Sequence, residues 1–285
     1  MRRILFAALS SWISLGQYPS HAMACDARTP CTVDGGEYFV SLPNGWNGRD
    51  PAPLVVFFHG YSGSAEDVMS DEPLRRLLSD AGAILVAPQG ALDQRGVHTW
   101  SFPGRPKLPR DDFAFVADVM KDVRKRWPID ARRTLASGFS VGGSMVWYIA
   151  CTTPETFAGY APVAGAFWAP EPESCKGPVS LRHVHGRADN TVPMAGRTLR
   201  GGAMRQGDVM KNFGVLKKED ACPAAPARTE TNGALTCQTW PAASCGAGRE
   251  LVLCLHPGEH EIEANWVLDG VHWLDGLAAA RSAKR

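Results

Sequence analysis

The pattern of apolar positions predicts a series of short strands. Continuous apolar runs at 54–58 (LVVFF) and 83–87 (AILVA) are typical of strands that are covered on both faces, as in a parallel sheet. Further strands are predicted at 37–42, 133–139, 157–163, 179–185 and 250–255. These strands predict a sheet that is buried for most of its width.

Helical periodicity separates the predicted strands. The clearest helix is predicted at 112–127, where apolar residues recur at steps of three and four on one face; they are Phe113, Val116, Met120, Val123 and Trp127. Other helices are predicted at 73–81, 142–151, 204–213 and, with a break, 262–277. Strands that alternate with helices predict an α/β fold with a mostly parallel central sheet and helices on both faces.

The segment from Leu135 to Met145 carries the most specific pattern. It reads as a strand, then Gly138-Phe-Ser-Val-Gly142, then a helix. A nucleophilic serine on such a sharp turn needs small neighbours, and glycines two residues before and after Ser140 meet that need. Ser140 would lie at a helix N-terminus, and the Val141 N–H would face a developing oxyanion. The alternative is a plain Gly/Ser loop, since such pentapeptides also occur by chance.

A second oxyanion donor is predicted after the strand 54–58. The segment His59-Gly60-Tyr61 starts the following loop, and the backbone N–H of Tyr61 is the natural partner for Val141. We interpret the His59 imidazole as a group hydrogen-bonded to loop backbone.

Two more segments supply an acid and a base. Asp189 follows the strand 179–185, and His260 follows the strand 250–255. The order Ser, Asp, His is that of α/β hydrolases, although Asp189 could merely cap a turn. His260 is preferred to His256, which still belongs to the strand end.

Metal binding is a remote alternative for two other histidines. His183 and His185 alternate along one strand, which could suggest zinc, but no third ligand with matching spacing accompanies them. We expect no metal and no cofactor.

Composition narrows the class of protein. The chain has 285 residues, 45% of them hydrophobic, a net charge of +1 and a pI near 7.6, so it can bury a full core and gives no indication of nucleic-acid binding.

Residues 1–24 read as a signal peptide with Arg2 and Arg3, an apolar segment too short to span a bilayer, and Ala22-Met-Ala24 as the cleavage site. We therefore expect a secreted or periplasmic protein with no integral membrane segment after cleavage.

Cysteine usage agrees with export. All eight cysteines follow residue 24 and none forms a Cys-x-x-Cys pair, which favours disulfides over zinc. Pairing across short loops predicts Cys25–Cys31, Cys151–Cys175, Cys222–Cys237 and Cys245–Cys254. A lipid-modified Cys25 is the rival interpretation and would leave Cys31 without a partner. Residues 25–285 are predicted to form one catalytic domain, with a disulfide-tied insertion around 222–245.

Aromatic residues in loops are candidates for substrate contacts. The stretch 90–110 is long and irregular, and loops of that kind usually have a function or move. The candidates are Trp100, Phe102, Trp168 and Trp240.

Taken together, these motifs resemble a known family. The sequence is similar to the secreted polyhydroxybutyrate depolymerase and feruloyl esterase group of the α/β-hydrolase superfamily. The matching segments are VVFFHG at 55–60, DDFAFV at 111–116, Arg132-Arg133, GFSVGGSM at 138–145, HGRAD at 185–189 with Val192-Pro193, and GEH at 258–260. The resemblance implies an α/β-hydrolase fold, a triad of Ser140, Asp189 and His260, and serine esterase activity.

The departures from this family concern the substrate. Glu261-Ile262 follows the histidine where depolymerases often have Trp-Pro, Tyr61 stands where smaller residues are common, and Val141 stands where alanine is common. With no room for a separate polymer-binding domain, we expect short hydroxyalkanoate oligomers or phenolic, feruloyl-type esters. The alternatives are a peptidase of the same fold and a non-catalytic secreted binding protein.

Overall fold

A ten-stranded sheet forms the centre of the protein. The computed structural model describes residues 25–283, so the predicted signal peptide, 1–24, lies outside the described residues. The strands of the large sheet are β1 (Cys31–Val33), β2 (Gly36–Ser41), β3 (Ala52–Phe58), β4 (Ile84–Pro88), β7 (Ile129–Phe139), β8 (Gly159–Val163), β9 (Leu181–Gly186), β12 (Arg228–Asn232), β13 (Leu235–Trp240) and β14 (Leu251–His256). Two small hairpins lie beside it, β5 (Ala91–Leu92) with β6 (His98–Thr99) and β10 (Arg197–Leu199) with β11 (Met204–Gln206).

The middle of the sheet is parallel and its margins are antiparallel. The strand order is β1-β2-β4-β3-β7-β8-β9-β14-β13-β12. The six strands from β4 to β14 run parallel to their neighbours, whereas β1, β2, β12 and β13 pair antiparallel. The carboxyl ends of the parallel strands therefore meet at one edge, where such sheets place their sites.

Helices cover both faces of this sheet. They are α1 (Ala65–Ser70), α2 (Glu72–Asp80), α3 (Asp112–Arg126), α4 (Val141–Thr152), α5 (Val209–Glu219) and α6 (Ala264–Ser282). Alternate residues of β3 face opposite layers: Val56 packs in the cluster with residues of α3, α4 and α5, and Val55 packs in the cluster with residues of α1, α2 and α6. This double burial explains the unbroken apolar run at 54–58 and confirms the predicted α/β architecture.

Three element predictions need correction. Residues 204–213 are not one helix, because Met204–Gln206 pairs with β10 and α5 begins only after Asp208, whose carboxylate caps the Lys211 N–H at 2.9 Å. The closing helix α6 is continuous over 19 residues. The segment 222–245 is more than a tied insertion, since it contains β12 and β13, which extend the sheet.

Four disulfides are present, and two of the predicted pairings are wrong. Cys25–Cys31 and Cys151–Cys175 form as predicted. The others are Cys222–Cys245 and Cys237–Cys254, in place of Cys222–Cys237 and Cys245–Cys254. Cys237 and Cys254 are direct cross-strand partners in the β13–β14 ladder, so strand register decides this pairing and loop length does not.

A buried carboxylate lies at the end of α5. Asp220 is fully buried, its Oδ1 accepts the Val179 N–H at 3.0 Å, and its Oδ2 has no hydrogen-bond partner within residues 25–283. Burial raises the pKa of Asp220 to about 7, against the opposing effects of the Val179 N–H and of Arg249. The folded protein therefore keeps a proton on Asp220 that the unfolded chain loses near pH 4.

This proton linkage predicts a pH-dependent stability. Between about pH 4 and pH 7 the folded state binds more protons than the unfolded state, so the free energy of unfolding falls as pH rises through that window and levels off above it. Asp220→Asn removes the titration, and the difference in unfolding free energy between variant and wild type should change by roughly 2–3 kcal/mol from pH 4.5 to pH 8. Urea unfolding measures it, with the exposed Asp80→Asn as control; parallel pH profiles for wild type and Asp220→Asn would contradict the assignment.

Candidate active site

The predicted nucleophile lies on a sharp turn between β7 and α4. Ser140 has a positive φ of 58° and precedes the first turn of α4. A Cβ on Gly142 would lie 2.0 Å from the Phe58 carbonyl oxygen, and one on Gly138 would lie 2.7 Å from the same oxygen. Only glycine therefore allows α4 to approach the end of β3 this closely.

Asp189 and His260 meet at the same edge of the sheet. Asp189 follows β9, His260 follows β14, and the His260 Nδ1 lies 2.7 Å from Asp189 Oδ2. The other carboxylate oxygen, Oδ1, accepts the N–H groups of Thr191 and Val192 at 2.8 and 2.7 Å. Burial acts to raise the pKa of Asp189, but the hydrogen bonds from His260, Val192 and Thr191 outweigh it and hold the pKa below its usual value. An ionised Asp189 is thus available to orient an Nδ1–H.

The loops that carry Asp189 and His260 are joined by hydrogen bonds between their backbones. The Arg187 N–H donates to the His256 carbonyl at 2.8 Å, and the Ala188 N–H donates to the Gly258 carbonyl at 3.1 Å. A Cβ on Gly186 would lie 2.2 Å from the Glu259 carbonyl oxygen, so this close approach requires glycine. His256 itself is buried against Trp266 and faces Glu261.

His260 reaches the turn that carries Ser140. Its ring lies 4.6 Å from the ring of Phe139, the residue before Ser140. In the part of the chain that the structure describes, Ser140 Oγ makes no hydrogen bond with His260. Catalytic hydrogen bonds of this kind are often long without substrate and shorten when it binds.

The two predicted oxyanion donors are free of intramolecular partners. Neither the Tyr61 N–H nor the Val141 N–H donates a hydrogen bond within residues 25–283, and both residues line one cavity with Ser140. The neutral His59 ring supports this loop: its Nδ1 lies 2.8 Å from the Gly60 carbonyl, and its Nε2 accepts the Gly90 N–H at 3.0 Å. Burial lowers the pKa of His59 to about 4, which keeps the ring neutral. Because the Gly60 carbonyl and the Tyr61 N–H share one peptide plane, His59 fixes the direction of that N–H.

The pair His183 and His185 lies next to Asp189. The two rings contact each other at 2.9 Å from Nε2 to Nδ1, and their outer nitrogens face the carbonyls of Pro162 and Val192. His185 Nε2 also lies 3.5 Å from Asp189 Oδ2. Burial lowers the pKa of both histidines. Among the described residues no group of three or more potential metal ligands is present.

The cavity beside Ser140 has a volume of about 250 Å³. Its lining differs from the predicted set of aromatic contacts. Of the four candidates, Trp168 lines it. Trp100 is fully buried, with its Nε1 donating to the His59 carbonyl at 2.9 Å. Phe102 stacks on Tyr148 at 4.8 Å, and Trp240 packs on Phe213. Trp100, Phe102 and Trp240 are core residues, because an aromatic ring stabilises the fold more when it is buried against other rings than when a loop exposes it to solvent.

Arginines line this cavity, and sequence reasoning missed them. Four of its lining residues are Arg95, Arg105, Arg197 and Arg200. Arg95 and Arg105 belong to the irregular stretch 90–110, and Arg197 and Arg200 belong to the β10–β11 hairpin. The stretch 90–110 could have been singled out from its 21 residues without a long helix or strand. The β10–β11 hairpin was not predicted, because residues 204–213 were interpreted as a helix.

An ion pair at the start of α3 anchors the stretch 90–110. Asp112 is fully buried, lies 2.6 Å from the Arg110 guanidinium and accepts the Ser101 N–H at 2.5 Å. Arg110 also donates to the Gln89 carbonyl at 2.9 Å. Burial raises the pKa of Asp112 even though Arg110 opposes the shift.

Comparison with known proteins identifies the family. The model of the family named Esterase matches residues 36–198, which is more than half of the chain. The chain belongs to this esterase family. Feruloyl esterase B of Piromyces equi is 27% identical over 229 residues, and feruloyl esterase C of Emericella nidulans is 24% identical over 172 residues. The predicted feruloyl esterase-like membership of the α/β-hydrolase superfamily is thereby confirmed.

The matches to the curated relatives are partial in length. They cover 78% of this chain and 42% of the Piromyces protein, and 58% of this chain and 58% of the Emericella protein. The chain therefore spans about half the length of these relatives.

Solved structures confirm the fold of this esterase-family chain. An acetyl xylan esterase from Aspergillus awamori superposes with a TM-score of 0.60 at 14% identity, covering 84% of this chain and 94% of that one. The Bacillus cereus carboxylesterase gives a TM-score of 0.55 at 12% identity, covering 85% and 95%. Residues 25–283 contain no helix that is long and apolar enough to cross a bilayer.

The anchor at Asp112 gives a prediction for this esterase-family protein. Asp112→Asn leaves the half-buried Arg110 without its counter-ion, so we expect the free energy of unfolding to fall by about 3–5 kcal/mol. The neighbouring Asp111→Asn is the matched control, since Asp111 caps α3 and asparagine caps equally well. Urea unfolding of both variants measures the effect; equal stabilities would show that the ion pair does not hold the stretch 90–110.

Proposed function

We propose that this protein hydrolyses carboxylic esters through an acyl-enzyme intermediate, with Ser140 as nucleophile, His260 as general base and Asp189 as the acid that orients it. The observation that carries the proposal is the 2.7 Å contact between Asp189 and His260 beside the strained Ser140 turn. An ionised carboxylate on Nδ1 leaves Nε2 as the basic nitrogen.

The chemistry then follows in two halves. His260 Nε2 takes the proton from Ser140 Oγ, which attacks the ester carbonyl, and the same imidazole protonates the departing alkoxide. Water, deprotonated by His260, then attacks the acyl-serine; the imidazolium returns the proton to Ser140 Oγ as the bond between Oγ and the acyl carbon breaks, and the acid is released. The Tyr61 and Val141 N–H groups would bind the oxyanion in both halves, where a preorganised donor is most effective.

The substrate class is proposed from the cavity and from the relatives. Trp168, Leu199 and Met204 give the cavity an apolar wall next to Ser140, which suits a phenolic, feruloyl-type acyl group or a short hydroxyalkanoate oligomer. Related proteins bear the names feruloyl esterase and acetyl xylan esterase. These two names refer to esters of different acids. We therefore propose carboxylic esters as the substrate class and do not assign a single acyl group.

Four disulfides support export of the protein. All eight cysteines are paired, and such bonds persist in oxidising compartments. We therefore propose a secreted or periplasmic location.

Loss of the nucleophile tests the proposal. Ser140→Ala should lower kcat for p-nitrophenyl acetate, p-nitrophenyl butyrate and methyl ferulate by roughly 10³–10⁶-fold, because triad members act as a unit. The exposed Ser70→Ala at the end of α1 is the matched control. A fluorophosphonate probe should label wild type and not Ser140→Ala. If wild type is labelled, does not hydrolyse the esters and cleaves the matching anilides, the protein is a peptidase. If folded wild type is not labelled, the protein is a binding protein.

The support of the oxyanion loop gives a second test. His59→Phe removes both hydrogen bonds of the ring, and we expect kcat to fall by about tenfold to a hundredfold with little change in KM, since the donor is misdirected and not removed. The exposed His272→Phe on α6 is the control. An unchanged kcat in a folded His59→Phe variant would show that the Tyr61 N–H needs no such support.

A further inference from the structure

The cavity beside Ser140 is cationic in a nearly neutral protein. Its wall contains Arg95, Arg105, Arg197 and Arg200 and, among the described residues, no carboxylate. An adjoining cavity of about 340 Å³ shares three of these arginines and contains one acid, Asp93. Positive groups that are gathered in a cleft, without matching acids, raise the local concentration of anions.

Arg105 is the central group of this cationic cavity. Within residues 25–283 no carboxylate lies within 4 Å of its guanidinium, which donates to Thr99 Oγ1 at 2.9 Å. Its guanidinium carbon lies 5.1 Å from the ring centre of Trp168, 5.5 Å from Phe102 and 5.8 Å from Tyr61. Aromatic faces hold the planar guanidinium in place while leaving N–H donors free.

Burial also affects the charge of Arg105 without removing it. Loss of water lowers the pKa of Arg105 to about 10; Tyr61 and Asp93 oppose this shift, and Arg200 and Arg95 add to it. The side chain remains cationic at neutral pH. A partly buried cation that has no carboxylate in contact costs free energy that an anionic ligand would recover.

The other three arginines of the cavity differ in whether a carboxylate or only neutral groups contact the guanidinium. Arg95 pairs with Asp93 at 3.4 Å and contacts Tyr61 Oη. Arg197 is held by Gln206 Oε1 at 3.1 Å and by the Asn190 carbonyl at 2.9 Å, both neutral groups. Arg200 is exposed, on a short 3₁₀ turn. Arg105, Arg197 and Arg200 thus lack an acidic partner in the described structure.

We propose that this cavity binds a carboxylate of the ester substrate, so that the protein prefers esters that carry a free carboxylate outside the scissile bond, with Arg105 as the specificity-determining residue. The inference rests on the proposed ester hydrolysis. A planar carboxylate matches the paired N–H donors of a stacked guanidinium, and the apolar wall of Trp168, Leu199 and Met204 suits the carbon chain between the carboxylate and the ester.

Two matched pairs of substrates test this preference. The first pair is mono-4-nitrophenyl adipate, which carries a free carboxylate on the acyl side, and its neutral counterpart 4-nitrophenyl methyl adipate. The second pair is 4-acetoxybenzoate, which carries the carboxylate on the alcohol side, and its neutral counterpart methyl 4-acetoxybenzoate. In at least one pair, wild type should show a higher kcat/KM for the anionic member than for the neutral one, and Arg105→Gln should lower that ratio by about tenfold or more. Added NaCl should also lower the ratio, because it screens charges near the surface.

Variants separate recognition from a structural role of Arg105. Arg105→Lys keeps the charge and should retain part of the preference, whereas a purely structural stacking role would make it as poor as Arg105→Gln. Arg49→Gln, an exposed arginine on a distant turn, should leave the ratio unchanged. Because each test compares the anionic with the neutral member of one pair, a general loss of activity in Arg105→Gln does not alter the ratio.

The results distinguish this inference from the proposed function. Hydrolysis of the neutral esters that disappears in Ser140→Ala upholds ester hydrolysis, whatever the ratios show. No preference in either pair, or a ratio that Arg105→Gln leaves unchanged, overturns the carboxylate site. If no ester is hydrolysed, calorimetry decides: adipate should bind wild type more tightly than Arg105→Gln, and equal or absent binding would overturn the inference.

Discussion

The close approach of helix α4 to the end of strand β3 determines the geometry of the whole site. The Phe58 and His59 carbonyl oxygens lie where a side chain at position 142 would be, so the first turn of α4 and the loop after β3 are pressed together. This packing accompanies the positive φ of Ser140, and Tyr61 lines the same cavity beside it. The proposed nucleophile and both proposed oxyanion donors are thus arranged by one contact between backbones, before any side-chain chemistry is considered.

A second close contact between backbones positions the proposed acid and base. The loop after β9 carries Asp189 and is hydrogen-bonded to the loop after β14, which carries His260. Because β9 and β14 are neighbours in register, the parallel sheet delivers both loops to one edge. The buried carboxylate is stabilised by two backbone N–H groups and by the imidazole, and these hydrogen bonds offset the cost of removing it from water.

Local sequence predicted those parts of the structure that depend on local chemistry. The apolar run at 54–58, the glycines around Ser140 and the order of Ser140, Asp189 and His260 each reflect a constraint that acts within a few residues or through the parallel topology. The disulfide pairing of Cys237 depends on the register of β13 against β14, which is a long-range property. Likewise, Trp100 occurs in an irregular stretch but is buried by packing against Phe58 and His59, and no periodicity within 90–110 reports that contact.

The arginines show why specificity is harder to derive from sequence than chemistry. A net charge of +1 averages over the surface and conceals a cleft in which cations from two distant segments converge. Arg105 reaches the cavity because the buried Asp112–Arg110 pair fixes the stretch 90–110, and Arg197 and Arg200 reach it because β10 and β11 form a hairpin beside Trp168. Each segment alone has an ordinary composition. The field that a substrate meets beside Ser140 arises only when the fold brings both segments to the same side of one cavity, so the substrate charge has to be inferred from the three-dimensional structure.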